Sequence, residues 1–228
     1  STNAINGTVE SIADNREIAK TIQDSLEIVT LEEITPVARV KDVEYVDLQE
    51  AINACEESEE IITILKDFDG MTSGESYIID ENKDIVIDLN GKNITYANEY
   101  MIKNNGKLEI KDTSEESSGK ITGKISSFID NLDGSEFKLS GGIINIASSS
   151  TTGVYAESGS TVEIAGGKIS LNKGINSSTA IKGDVGSSIK VTGGTIESSC
   201  YFNYNNTIYS KGTIVIEGGT ITSSQYAD

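Results

Sequence analysis

The chain has 228 residues, 36 acidic and 18 basic, which gives a formal net charge of −18 at pH 7. This excess of negative charge argues against nucleic acid or an anionic membrane surface as a partner. No stretch approaches the roughly 20 consecutive apolar residues that would span a bilayer, so we expect no membrane insertion within this sequence. Two cysteines, Cys55 and Cys200, are too few for a disulfide scaffold, and we expect two free thiols.

The first part of the chain, residues 1–42, is predicted to form a separate helical and extended segment. Asp14 begins a capping box, and apolar residues then recur at helical spacing. The only proline, Pro36, indicates a break in the chain. The elements expected here are a helix over about 15–29, an extended piece at 37–40, a turn at 41–42 and a second extended piece at 43–46.

A short amphipathic helix is predicted over residues 47–57. Asp47 is a favourable N-cap, and Glu50 lies three residues later, where a capping box places an acid. The apolar stripe of this helix includes Leu48, Ile52 and Cys55. Such a helix would cover the open end of a strand array, whose apolar interior and unpaired edges would otherwise face water. We interpret Cys55 as a buried core residue rather than a reactive thiol.

The rest of the chain is organised by a repeated phrase: apolar-x-apolar, one spacer, two glycines, any residue, then isoleucine. Its second glycines are Gly142, Gly167, Gly194 and Gly219, so the steps are 25, 27 and 25 residues. Each unit holds three short apolar stretches separated by turns. This period predicts an all-β, parallel β-helix domain over 43–228, with about six to seven coils of about 25 residues at 61–228.

The glycines and isoleucines of the phrase have structural roles in this prediction. A corner between strands needs positive φ or a close backbone approach, and both cost little only for glycine. Stacking of the coils places Ile144, Ile169 and Ile196 in one core column.

The residues after Ile221 are too few for a complete coil. We favour truncation of a longer protein as the explanation over a partner copy that covers the open end.

Several stretches together resemble a known fold family. They are Leu48-Gln49-Glu50-Ala51-Ile52, Ile62-Thr63-Ile64, the run from Ile87 to Ile94, and the Gly-Gly-x-Ile repeats. The pattern resembles the right-handed, single-stranded parallel β-helix of the pectin-lyase-like superfamily. More narrowly, it is similar to β-helix modules in large surface or secreted proteins of Gram-positive bacteria that act as adhesins. The resemblance implies an extracellular or cell-surface location.

The catalytic members of that superfamily provide a test for enzymatic residues. Pectate-lyase-like enzymes use a basic residue, often arginine, near calcium-binding acids, but Arg16 and Arg39 both precede the coils. Polygalacturonase-like hydrolases carry aspartates with a Gly-His-Gly motif, and this chain has no histidine. We therefore expect no catalytic residues and no enzyme. A polysaccharide lyase or hydrolase with an atypical carboxylate pair is the alternative, and the candidate acids are Asp130, Asp133, Glu157 and Asp184.

An aromatic insertion between the second and third strands of its coil is the candidate ligand site. It contains Tyr201, Phe202, Asn203, Tyr204 and Asn205. Aromatic rings can stack on a sugar face while amides bind its hydroxyl groups, and the same side chains suit a protein contact. They could instead fold back over the core.

An acidic turn is the candidate metal site. Asp133 and Glu136 place oxygen ligands close together and could hold Ca²⁺, although an ordinary solvated turn is favoured and no other cofactor is expected.

The sequence thus predicts a non-catalytic stalk or adhesin module that displays loops for binding. The expected partners are a host or environmental glycan or protein, or other subunits of a surface assembly. A further alternative is a pilin-type subunit, in which the helix at 15–29 is the soluble half of a longer helix and the β-helix is its head.

Overall fold

The computed structural model of the chain describes residues 35–56, 58–71, 75–96, 100–123, 127–146, 152–174, 178–200 and 206–225. The predicted helix at 15–29 lies outside them. In chain order the elements are β1 (Ala38–Val40), β2 (Val43–Tyr45), α1 (Leu48–Ala54), β3 (Glu60–Ile64), β4 (Phe68–Asp69), β5 (Tyr77–Ile79), β6 (Asp84–Asp88), β7 (Asn93–Tyr96), β8 (Tyr100–Asn104), β9 (Lys107–Lys111), β10 (Lys120–Gly123), β11 (Ser127–Asn131), β12 (Glu136–Leu139), β13 (Ile143–Ile146), β14 (Thr152–Ala156), β15 (Thr161–Ile164), β16 (Lys168–Gly174), β17 (Thr179–Gly183), β18 (Ser188–Val191), β19 (Thr195–Cys200), β20 (Asn206–Ser210), β21 (Thr213–Ile216) and β22 (Thr220–Gln225).

The strands form three sheets, and each full coil contributes one strand to each sheet. Sheet A has the order β2-β1-β3-β6-β9-β12-β15-β18-β21, sheet B has the order β4-β7-β10-β13-β16-β19-β22, and sheet C has the order β5-β8-β11-β14-β17-β20. From β3 onward every neighbouring pair is parallel. The predicted parallel β-helix is confirmed, with about six coils. Within the described residues, no helix is long and apolar enough to cross a membrane.

The core lies inside the coils and is built from columns of equivalent residues. Ile144 pairs in register with Ile169, and Ile169 with Ile196, and all three side chains are fully buried. Successive side chains of a strand point to opposite faces, so the residues directly before and after each of these isoleucines in its own strand face outward. The predicted column is therefore confirmed, and it fixes which residues form the outer surface.

The corner between sheets A and B depends on the glycine pairs. The second glycine of each pair has φ between 66° and 82°, a left-handed conformation that side chains disfavour. A Cβ on Gly194 would lie 2.6 Å from the backbone oxygen of Gly166 in the coil below. Both predicted reasons for glycine, positive φ and close backbone approach, hold at this position.

One corner between sheets A and B has a longer loop instead of a glycine pair. The carboxylate of Asp112 accepts hydrogen bonds from the backbone N–H groups of Ser114 and Gly119, at 3.1 and 2.6 Å. It also accepts one from Gly91 N–H in the coil below, at 2.9 Å. Asp112 thus ties the loop to its neighbour. Burial alone would raise the pKa of Asp112, but these donors outweigh burial and lower it.

The corner between sheets C and A uses a serine that the repeat phrase does not include. Ser135, Ser160 and Ser187 are buried, and each hydroxyl donates to the backbone oxygen three residues earlier, at 2.6 to 2.7 Å. This side-chain bond closes a tight turn without help from a neighbouring strand. The same turn recurs in three successive coils.

Two buried amides connect the same corner across coils. Asn104 donates to the side-chain oxygen of Asn131 at 2.7 Å and to the backbone oxygen of Glu136 at 2.8 Å. Asn131 in turn donates to the backbone oxygen of Thr161 at 2.9 Å. Both asparagine side chains are fully buried, so these bonds offset the cost of removing the amides from water.

The N-terminal end of the coils is covered by a hairpin. β1 and β2 pair antiparallel through the predicted turn, and β1 also pairs antiparallel with β3 in the first coil. The compact unit that holds the coils begins at Pro36, ahead of the sequence-based boundary at 43, because β1 extends sheet A.

The capping helix closes the interior at the same end. Asp47 accepts hydrogen bonds from the N–H groups of Gln49 and Glu50 as the N-cap, and Leu48 and Ile52 are buried against the core. Cys55 is a free, buried thiol, as expected, and burial raises its pKa to about 11.

We predict that Gly194→Val destabilises the protein by about 2 kcal/mol or more, because a β-branched residue disfavours positive φ and its Cβ would meet the coil below. The matched control is Thr195→Val, at the next residue, which begins β19 and accommodates a β-branched side chain. Urea unfolding of the three proteins measures the difference. Equal midpoints for Gly194→Val and the wild type would refute the role of the corner.

Candidate functional site

The aromatic insertion predicted as a ligand site, 201–205, lies outside the described residues. The strands that it joins are described: β19 in sheet B precedes it, and β20 in sheet C follows it. Ligand binding by these residues stays a prediction.

The acids predicted to hold Ca²⁺ lie on either side of a corner. Asp133 is exposed in the turn before β12, and Glu136 begins β12 with its carboxylate 3.3 Å from the ammonium group of Lys107. In the part of the chain that the structure describes, no three Asp, Glu or Cys side chains are grouped so that they could hold a metal ion. Calcium binding here remains a prediction that these contacts do not support.

A polar groove lies on the outside of sheet B. It crosses β4, β7, β10 and β13 and has a volume of about 510 Å³. Its lining combines carboxylates, amides, hydroxyls, one ammonium group and one aromatic ring: Asp67, Phe68, Asp69, Asn93, Thr95, Lys120, Thr122 and Asn145.

Strand register builds this groove. One outward position per coil forms a straight row, the polar row, whose members are Asp69, Thr95, Thr122, Asn145, Ser170, Glu197 and Thr222. Neighbouring strands in a sheet lie about 4.8 Å apart, so the row presents a polar group at that interval. The groove occupies the first four positions of the row.

The polar row differs between its two halves. In the upper half Glu197 accepts a hydrogen bond from Ser170 at 2.7 Å and forms an ion pair with Lys168 at 2.7 Å. In the lower half the hydroxyl oxygen of Thr122 is buried and has no hydrogen-bond partner among the described residues. The same holds for the side-chain oxygen of Asn93, which lies beside the row and also lines the groove. Buried polar atoms normally have partners, so these two oxygens are unsatisfied groups beneath the groove surface.

An anchored carboxylate forms the lower wall of the groove. Asp67 accepts hydrogen bonds from the backbone N–H of Asn93 at 2.8 Å and from its side-chain amide at 3.0 Å. These two bonds lower the pKa of Asp67, so it is ionised at neutral pH. Because the Asn93 side-chain nitrogen donates to Asp67, the oxygen of the same amide points away from Asp67.

A second cluster lies on the outside of sheet C and includes three of the four candidate acids. Asp130, Tyr155 and Lys182 occupy one row in successive coils, with Lys182 above the Tyr155 ring at 4.8 Å. Tyr155 donates a hydrogen bond to Asp184, and this bond raises the pKa of Tyr155 to about 12. The fourth acid, Asp133, is exposed in its turn.

Asp130 is the least satisfied member of this cluster. Asp130 is only 8% exposed, and one of its carboxylate oxygens has no hydrogen-bond partner among the described residues. Burial, and then the negative charge of Glu157, raise the pKa of Asp130, against an opposing effect of Lys103. The sequence suggested that these acids stack, but their difference in burial depends on packing.

The sequence interpretation did not single out the sheet B groove. Its outward residues follow each core isoleucine, as in Ile94-Thr95, Ile121-Thr122 and Ile144-Asn145. This alternation of core isoleucines with outward polar residues was the sequence signal that could have located the groove. It could not show which polar atoms of the groove lack partners, because this depends on strand register and on the hydrogen bonds between Asp67 and Asn93.

We predict that Asp130→Asn raises the melting temperature at pH 7. A carboxylate whose folded pKa exceeds its unfolded pKa makes the protein less stable at pH values above the folded pKa, and this loss disappears as pH falls below both pKa values. The gain from Asp130→Asn should therefore vanish toward pH 3. Asp133→Asn, at an exposed turn, is the control and should change little. Thermal unfolding from pH 3 to pH 8 tests both, and a destabilised Asp130→Asn protein at pH 7 would contradict the assignment.

Comparison with known proteins identifies no relative of this chain: no family model, no curated protein and no solved structure matches it.

Proposed function

We propose that this protein is a non-catalytic, extracellular or cell-surface β-helix module that acts as a stalk or adhesin and binds a glycan along sheet B. The observation that carries the proposal is the groove of about 510 Å³ on sheet B, which is lined by carboxylate, amide and hydroxyl groups.

The chemistry of the groove suits a ligand with many hydroxyl groups. Amides, carboxylates and threonine hydroxyls can all exchange hydrogen bonds with sugar hydroxyls. The spacing of about 4.8 Å between coils is close to the length of one sugar unit in an extended chain. A linear glycan that runs along the coil axis would therefore meet one polar side chain per unit.

The coils suit the mechanical part of the proposal. Backbone hydrogen bonds join every coil to the next on all three sides, and opposite charges pair between coils, as in Lys138–Glu109 at 3.1 Å and Lys190–Glu217 at 3.1 Å. A solenoid whose coils are joined in this way is a stiff spacer that holds its binding surface at a fixed place.

The aromatic insertion at 201–205 would be a second contact point on the same module, for a glycan, a protein or another subunit.

A polysaccharide lyase or hydrolase is the second candidate, and the sheet C cluster favours it. Glycoside hydrolysis needs one carboxyl group that keeps its proton and another that is ionised. Burial and the charge of Glu157 move Asp130 toward the protonated state, which is the property of a general acid. Reducing-sugar and lyase assays on wild type and Glu157→Gln distinguish this candidate, because an adhesin releases no product.

We predict that Thr95→Val weakens glycan binding by about two- to tenfold, the effect of one lost hydrogen bond between neutral groups, because Thr95 is exposed and lines the groove. Valine keeps the shape of threonine and removes only the hydroxyl. Thr222→Val is the matched control, since Thr222 belongs to the same polar row but lies far from the groove. A panel of neutral, acidic and amino-sugar oligosaccharides, screened by array and then titrated by calorimetry, supplies the ligand.

Two outcomes would contradict the proposal. One is a wild-type protein that binds no member of the panel. The other is equal weakening by Thr95→Val and Thr222→Val, which would place binding elsewhere on the surface.

A further inference from the structure

Sheet B repeats one arrangement of outward side chains in its upper and lower coils. In the upper coils Lys168 and Ser170 lie on β16, and Glu197 lies on the next strand, directly opposite Ser170. The Glu197 carboxylate accepts a hydrogen bond from the Ser170 hydroxyl at 2.7 Å and pairs with the Lys168 ammonium group at 2.7 Å. One carboxylate thus satisfies two groups of the strand below it.

The same positions in the lower coils hold Lys120, Thr122 and Asn145. Lys120 and Thr122 lie on β10, and Asn145 lies on β13, directly opposite Thr122. An amide therefore stands where the upper coils have a carboxylate. The side-chain oxygen of Asn145 accepts a hydrogen bond from Asn172 in the next coil, at 2.7 Å, so this oxygen already has a partner.

The missing carboxylate leaves two groups without the partner that their counterparts have. The Thr122 hydroxyl is buried without a hydrogen-bond partner among the described residues, whereas Ser170 donates to Glu197. Lys120 is exposed and lines the groove, and its ammonium group forms no ion pair within the described ranges, whereas Lys168 is neutralised. The groove therefore presents the ammonium group of Lys120 to a ligand.

The opposite end of the groove is negative. Asp69 ends β4 and Asp67 precedes it, while Lys120 begins β10, two strands further along sheet B. Two strand spacings amount to about 9.6 Å. Carboxylates accept hydrogen bonds from sugar hydroxyls, but they repel a second anion. The net charge of −18 also disfavours a polyanion, so the groove suits a ligand with a single negative group.

We propose that Lys120 selects a glycan that is mostly neutral and carries one isolated oxyanion, a carboxylate or a sulfate ester. This selection rests on the proposed binding of a glycan along sheet B. The oxyanion takes the role that the Glu197 carboxylate has in the upper coils, and hydroxyl groups of neighbouring sugar units donate to Asp67 and Asp69. Hydrogen bonds between charged groups are stronger than those between neutral groups, so the contact favours the charged ligand over its neutral form.

The first experiment measures the preference for charge by calorimetric titration. The probes are neutral tetrasaccharides of glucose, galactose and mannose, each unmodified, with one sulfate ester, or with one uronate unit. A tetrasaccharide of uronate units only is the polyanion. The wild type is expected to bind a singly charged form about tenfold more tightly than its unmodified parent, and to bind the polyanion more weakly than the singly charged form. The sulfate and uronate forms show which oxyanion fits.

The second experiment assigns the preference to its residue. Lys120→Gln is expected to remove it, so that charged and unmodified forms bind equally. Lys168→Gln is the matched control, because Lys168 lies in the same outward row and already pairs with Glu197. Asn145→Glu copies the upper arrangement and is expected to remove the preference too, while Thr222→Glu adds the same charge outside the groove and should keep it. Thermal melts establish that the variants fold.

Three results would overturn the selection by Lys120. They are charged forms that bind no better than their parents, a preference that survives Lys120→Gln, and tighter binding of the polyanion than of any singly charged form. In the first case, binding of the unmodified forms would keep the groove as a glycan site, which separates this proposal from the proposed function. A wild type that binds none of the probes contradicts both.

Discussion

Backbone hydrogen bonding between successive coils, in strict register, is the constraint on which this structure depends. Each strand must lie about 4.8 Å from its equivalent above and below, and the corners must keep the same spacing. The glycine corner shows the consequence: Gly194 approaches the coil below so closely that a Cβ would meet the Gly166 oxygen at 2.6 Å. A larger residue there would separate the coils on all three sheets, because the three sheets share one chain.

Register also organises the outer surface. When one coil is copied onto the next, every outward position becomes a row of side chains at a regular interval. In sheet A such a row pairs opposite charges, as in Lys138–Glu109. In sheet B the row instead collects hydroxyls and amides over the first coils and forms the groove. The surface chemistry of this protein is therefore decided row by row.

The ends of the stack follow from the same constraint. A parallel sheet always leaves an unpaired strand at each end, and the interior columns end there too. This chain resolves the problem at one end with a hairpin, a seven-residue helix and the Gln49 amide. At the other end the columns of Ile189 and Val191 continue into the exposed Ile214 and Ile216.

The sequence by itself determined the fold, because a fixed period with glycine pairs and isoleucines leaves few structures other than stacked coils. It also located the corners and the N-terminal cap, whose signals are local. It did not reveal the Asn104–Asn131 contact or the different burial of Asp130 and Asp133. Nor did it show which polar atoms of the sheet B groove lack partners. Only the tertiary structure decided these, because the partners of a polar side chain lie about 25 to 30 residues away in sequence, and small differences in turn geometry decide whether they meet.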